Sequence, residues 1–196
     1  ALFLVGWASA ANPGAELLAN QAALDYAKGL GVQIMNSRLA NTGIPDVSGS
    51  GTGYSYDLSS INLQTFHAPN SGASVTLHPP SNLQLAIGGM TAYITANYKV
   101  KVGSGWFSIT KTGSVTASAS STSVAQTVSV IQSGGKPQLS TGSCSANVGG
   151  LDITFHGDVI DSILNLFKSA ISDYVKGQIN GILCNEIKDL VNSQAN

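Results

Sequence analysis

The sequence predicts an α+β fold in which two long helices are wrapped by a highly twisted antiparallel sheet. Three observations predict it. Apolar residues recur at helical spacing near the front of the chain and again at its end. Between those segments, from Asp46 to His156, apolar and polar residues alternate. The alternating runs follow one another directly, with no helical stretch between them, so neighbouring strands are joined by turns and run antiparallel.

The first helix is predicted over 13–40. Asn12 and Pro13 form a start signal, a capping residue followed by Pro in the first turn, with Glu16 just inside. Leu17, Leu24, Ala27, Gly31, Ile34, Met35 and Leu39 then keep helical spacing. Gly29 and Gly31 each weaken it by roughly 1 kcal/mol relative to Ala. The stretch "NTGIPD" ends it, since Pro45 forces the residue before it into an extended conformation.

Period-two patterning takes over next. Tyr54, Tyr56 and Leu58 alternate with polar residues, then the phase slips by one to Ile61 and Leu63, as a β-bulge would cause. Leu83, Leu85 and Ile87 form another run. Ala92, Ile94, Ala96, Tyr98, Val100 and Val102 read as a long strand that "VGSGW" turns back into Phe107, Ile109, Val115 and Ala117. Val124, Val128 and Val130 give a further strand, and Leu151, Ile153 and Phe155 the last. Alternation of this kind buries one face of each strand.

Asp158 opens the second helix, with Asp161 placed as in a capping box. Its apolar series runs from Ile160 through Ile163, Phe167, Ile171, Tyr174 and Leu183 to Val191. That length corresponds to roughly 57 Å at 1.5 Å per residue. Two long helices laid on one apolar sheet face could simply bury each other. A strongly curved sheet around them could instead leave an apolar tube, for which Leu17, Leu24, Ile34, Ile163, Phe167, Ile171 and Tyr174 are the candidate lining.

Composition narrows the function. Of 196 residues, 43% are hydrophobic and only 10% charged, well below the roughly 25% charge of ordinary soluble chains. The net charge of −1 argues against nucleic acid as a partner, which calls for a basic stripe. No apolar run approaches the roughly 20 residues of a membrane span. The opening "ALFLVGWASA" reads as the remnant of a signal peptide over 1–10, with a small-x-small cleavage site at Ala8–Ala10; a buried strand is the ordinary alternative. The domain would then occupy 11–196 and be secreted and extracellular, and Cys144 and Cys184 would form a disulfide. Closing a loop of that length removes roughly 4 kcal/mol of unfolded-state entropy in the chain-entropy account. Two free buried thiols are the alternative. Gly177 and Gly181, one turn apart, would let the backbones approach near the bridge.

Nothing points to an enzyme. His67, His78 and His156 are scattered, "GSGTG" at 49–53 lacks a central serine, and there is no phosphate loop, metal-ligand spacing or cofactor motif. His156 reads as a solvated strand-end residue. The remaining feature is Trp106 and Phe107 on a turn flanked by Lys99, Lys101 and Lys111, a pattern that can dip into a lipid headgroup layer. A hairpin aromatic folded onto its own sheet is the plainer reading.

In order, "NPG" at 12–14, "LDYA" at 24–27, "IPD" at 44–46 and "SCS" at 143–145 with a second cysteine at Cys184 resemble the N-terminal domain of the family that includes bactericidal/permeability-increasing protein, lipopolysaccharide-binding protein and the plasma lipid-transfer proteins. The resemblance runs from Asn12 to about residue 195. It implies an elongated tubular lipid-binding domain that holds acyl chains in an apolar groove, and it implies the same disulfide. Phospholipid or another acyl lipid would be the partner, with lipopolysaccharide or an anionic membrane surface as a further one and an innate-immune role. One departure weakens that last point: residues 39–98 hold no Lys or Arg, whereas antibacterial members carry a lysine-rich tip. The reading from a different class is a dry structural or protein-interaction module without bound lipid.

Overall fold

The computed structural model describes residues 21–78, 80–103, 107–157 and 161–194, the side chains of 137, 161–167 and 194 excepted. The order of elements is α1 (Gln21–Leu39), β1 (Thr42–Ile44), β2 (Val47–Gly51), β3 (Tyr54–His67), a short 3-10 turn (Asn70–Gly72), β4 (Ala73–His78), β5 (Asn82–Val102), β6 (Ile109–Ser133), β7 (Lys136–Asn147), β8 (Gly150–His156) and α2 (Asp161–Gln194). The expected start of the first helix, the signal-peptide remnant, Leu17, Trp106 and the Asp158 cap lie outside the described residues.

The eight strands form one antiparallel sheet in the order β1-β3-β5-β6-β7, with β2 on β3, β4 on β5 and β8 on β6. Several strands are consecutive pieces of one line. β3 and β4 both lie along β5, pairing with 91–102 and 82–87. β7 and β8 both lie along β6, pairing with 123–133 and 114–120.

The interruptions fall on one line across the sheet. Residues 68–72 face two adjoining register slips of β5, between Ile87 and Met90 and between Met90 and Ala92, which lie opposite residues 120–123 of β6, and these in turn meet the break at Val148 and Gly149. Gly89 (φ 71°) and Ser121 (φ 50°) sit in left-handed conformations there. A Cβ at Gly72 would collide with the carbonyl of Gly88, so only glycine permits that approach. Such bulges bend a strand and flip the phase of its side chains. This explains a difference from expectation: the runs 83–87 and 92–102 are one 21-residue strand, and 109–117 and 124–130 belong to one 25-residue strand. The expected slip between Leu58 and Ile61 is a bulge as well. Ser60 has φ 52°, and its N–H donates to Asp46 Oδ1 at 2.9 Å.

The stretch around Cys144, rich in Ser, Gly and Asn, is strand β7. Its backbone is satisfied by β6, a long-range partner that composition does not reveal. Phe107 precedes β6 and stands in the turn rather than in the strand.

α2 has 34 residues, roughly 51 Å at 1.5 Å per residue. Among its described side chains the buried ones are Ile171, Val175, Ile179, Leu183, Ile187 and Val191, each four residues after the last. Four residues advance the helix by one turn plus about 40°, so this stripe spirals round α2, the contact line a twisted sheet requires. α1 contributes Val32, Met35 and Leu39 to the same core and packs on β3 and β4, while α2 packs chiefly on β7.

Candidate functional site

The elements converge on one seam between the helices and the sheet. Leu39 of α1, Ile44 of β1, Leu63 and Phe66 of β3, Ala92 of β5, and Ile179, Ile182 and Leu183 of α2 line it. Every one of these side chains is apolar. The space left among them is about 10 Å³, room for about one water molecule and far too little for an acyl chain. The seam is apolar and narrow.

α2 is tied down on both sides of the seam. Cys184 is bonded to Cys144 of β7, with Cα atoms 5.8 Å apart. Asn180 Nδ2 donates to the carbonyl of Ala146 at 3.3 Å. Arg38 of α1 pairs with Glu186 at 3.1 Å. Nearer the start of the helix, the Tyr174 hydroxyl donates to the carbonyl of Pro45 at 2.7 Å. Burial, and then the Asp46 carboxylate, push the Tyr174 pKa up, which keeps its proton available for that bond.

The bridge depends on a bulge. β7 pairs Thr141 with Val128 but Cys144 with Gln126, a slip of one residue over Gly142 and Ser143. That slip places Cys144 rather than Ser143 on the face toward α2. Gln126, 1% exposed, holds it: its Nε2 donates to the carbonyls of Thr127, Gly142 and Ser143 at 2.7, 3.1 and 3.2 Å. Gly177 and Gly181, expected to permit close approach, do nothing of the kind. A Cβ at either position would meet open space, because both lie on the solvent side of α2.

A larger concavity of about 380 Å³ lies beside the bulge line, where β5, β6 and β7 adjoin. The row Ile87–Val124–Ala146 points into the core, so the neighbouring row Ala86–Ala125–Ser145 lies on the opposite face of the sheet. This depression is lined mostly by small side chains, with Ile87 and Val124 the bulkier apolar ones and no charged group among them.

The residues expected to line a tube are placed as follows. Ile171 is buried in the core; Leu24, Ile34 and Tyr174 are half-buried. Leu17 and the side chains of Ile163 and Phe167 lie outside the described residues. None of the four described ones is among the residues that line the seam. The α2 residues that do, Ile179, Ile182 and Leu183, belong to the same helical series, but periodicity gave no reason to prefer them. At the other end of the molecule, Lys99 and Lys101 do not share a face with Lys111. Lys111 pairs with buried Val100 and lies on the core side, whereas Lys99 pairs with Thr112 and Asp57 on the outer side. Phe107 is 92% and Ile109 53% exposed beside them. His156 is exposed at the end of β8, its Nε2 3.3 Å from Thr116 Oγ1. Among the described residues no group of His, Cys, Asp and Glu could hold a metal ion, and no helix is long and apolar enough to cross a membrane.

Comparison with known proteins places this arrangement. The LBP / BPI / CETP family, N-terminal domain, matches residues 23–193. The chain belongs to this family. Bactericidal permeability-increasing protein of Sebastes schlegelii is 26% identical over 190 residues, covering 91% of this chain and 39% of that protein. Phospholipid transfer protein of Mus musculus is 26% identical over 184 residues, 93% of this chain and 36% of that one. A crystal structure of lipopolysaccharide binding protein superposes with a TM-score of 0.71 at 25% identity, over 87% of this chain and 38% of the other. The chain therefore spans about two fifths of the length of these relatives. Two helices on a large antiparallel sheet are the tubular lipid-binding fold of the family. Its members bind or transfer lipids and are not enzymes.

Proposed function

We propose that this protein is a secreted lipid-binding or lipid-transfer protein that takes acyl chains between α2 and the sheet, with phospholipid or lipopolysaccharide as the lipid and a role in innate immunity. The observation that carries the reading is the seam: eight side chains from five elements, all apolar, beneath a helix whose remaining ties are few and lie at its edges. An acyl chain bound there gains about 0.8 kcal/mol per buried methylene. No covalent chemistry is involved. Because the space between the walls is only about 10 Å³, a chain enters as α2 lifts. The same tightness favours the second reading, a dry structural or interaction module. Native mass spectrometry of gently purified protein separates the two. Co-purified phospholipid or fatty acid is the expected result, and its repeated absence supports the dry module.

The surface that meets lipid aggregates is proposed to be the β5–β6 end, with Trp106, Phe107 and Ile109 as the apolar part and Lys99, Lys101 and Lys111 as the basic part. With the lysines divided between two faces and Asp57 opposite Lys99, the attraction is weak, at most about 1 kcal/mol per lysine. Binding to anionic vesicles should fade as salt rises past physiological strength, where the Debye length falls below about 8 Å. Changing all three lysines to Gln should remove it and leave enclosed lipid in place. Co-sedimentation at two salt concentrations reads this. Tight binding that survives both would place the contact elsewhere.

A further inference from the structure

The geometry points to the Cys144–Cys184 bridge as a redox latch that holds α2 down on the seam, so that reduction by a dithiol frees the helix and admits an acyl chain. The second half of that statement rests on the lipid reading above. The bridge joins α2 to β7 at the residue after Leu183, which with Ile179 and Ile182 forms the helix wall of the seam. The seam holds only about 10 Å³ of free space, so α2 must move away from β3 and β5 before an acyl chain enters. Around Leu183 that movement is opposed by the burial of Ile179, Leu183 and Ile187 against the sheet and, beyond that packing, by the covalent bridge, the Asn180 hydrogen bond to Ala146 and the Arg38–Glu186 ion pair. The last two are surface contacts that exchange readily with water. The bridge does not.

Opening the bridge frees the helix and not the strand. β7 keeps its ladder with β6 on either side of Cys144, and Gln126 keeps the bulge, whatever the state of the sulfurs. Both cysteines are half-buried rather than sealed in the core, so a thiolate has a path to them. The chemistry is ordinary exchange. One thiolate of the dithiol attacks a sulfur of the bridge, the S–S bond breaks and a mixed disulfide forms. The second thiol of the reductant then displaces the protein. Two electrons and two protons pass to Cys144 and Cys184, which become thiols, and the reductant leaves as a disulfide.

The test uses the full chain, oxidised and after dithiothreitol, with Cys144→Ser/Cys184→Ser alongside. Two quantities are followed: amide hydrogen exchange of α2 peptides over 179–191 and of β5 peptides over 94–100, and transfer of a pyrene-labelled phosphatidylcholine from the protein to unlabelled phosphatidylcholine vesicles. Reduction should speed exchange in the α2 peptides at least tenfold, leave β5 protected and speed lipid transfer by a similar factor. Reoxidation should reverse all of this. The double variant should behave as the reduced protein does and ignore dithiothreitol. Unchanged α2 exchange would overturn the latch. So would loss of protection in β5 together with α2, which would make the bridge a staple of the whole fold, and so would faster α2 exchange with an unchanged transfer rate. Faster α2 exchange in a protein that takes up no labelled lipid in either state would uphold the latch and overturn the lipid reading instead.

Discussion

The two halves of the sheet on either side of the bulge line fill their core faces in different ways. In the half built from β3, the 91–102 part of β5, the 109–119 part of β6 and β8, the buried inward side chains are apolar, Lys111 standing on that face only at its half-exposed end. They include Leu58, Ile94, Tyr98, Val100, Val115 and Ile153, and Phe155 meets Tyr98 edge to face with ring centroids 5.6 Å apart. In the half built from β4, the 82–87 part of β5, the 122–133 part of β6 and β7, the inward row includes Thr122 and Gln126, the two buried polar side chains of the described core. That half also carries the disulfide. Where the strands supply enough apolar bulk, burial alone closes the core. Where they do not, a covalent tie and a hydrogen-bonded glutamine position the helix.

The sharpest test of this contrast is to put the glutamine on the wrong side. Ile94 is buried, 2% exposed, in the apolar half. Ile94→Gln gives up roughly 1.5–3 kcal/mol of burial and adds about 1–3 kcal/mol for an unsatisfied polar group. The variant should therefore lose about 2.5–6 kcal/mol in urea denaturation. A loss under about 1 kcal/mol would mean that this half, too, accommodates polar groups.

A smaller effect is expected from taking the glutamine away where it belongs. Gln126→Leu leaves the carbonyls of Gly142 and Ser143 without the amide, and should cost about 1–3 kcal/mol. Because those two residues form the bulge that turns Cys144 inward, the variant should also re-form the bridge more slowly after reduction. A stable variant that reoxidises at the normal rate would show that the bulge holds without Gln126.

The smallest effect concerns Thr122. Its hydroxyl is buried, 1% exposed, and has no hydrogen-bond partner. Thr122→Val keeps the shape and removes the unpaired group, so stability should stay level or rise by up to about 1 kcal/mol. A clear loss in the same denaturation assay would mean that the hydroxyl has a partner, and the contrast between the halves would soften.

Much of this architecture was legible in local patterning, because side-chain direction repeats every two residues in a strand and about every 3.6 in a helix. That alone determined the order of helix, strands and helix and the slip between Leu58 and Ile61. Local patterning could not show that 83–87 and 92–102 are one strand. A bulge reverses the phase of alternation, and from sequence that looks like an end. Nor could it show that "STGSCSAN" is a strand, since its place is decided by β6, not by its own small polar residues. The tertiary structure alone decided which faces meet. A register shift of a single residue moves every side chain to the other side of a sheet. Such shifts put Cys144 toward α2, and the pairing of β5 with β6 put Lys111 on the opposite side from Lys99. The choice of Ile179, Ile182 and Leu183 over Leu24 or Ile34 as walls of the seam has the same origin. All belong to apolar helical series, and only the path of a twisted sheet against a spiralling stripe selects among them.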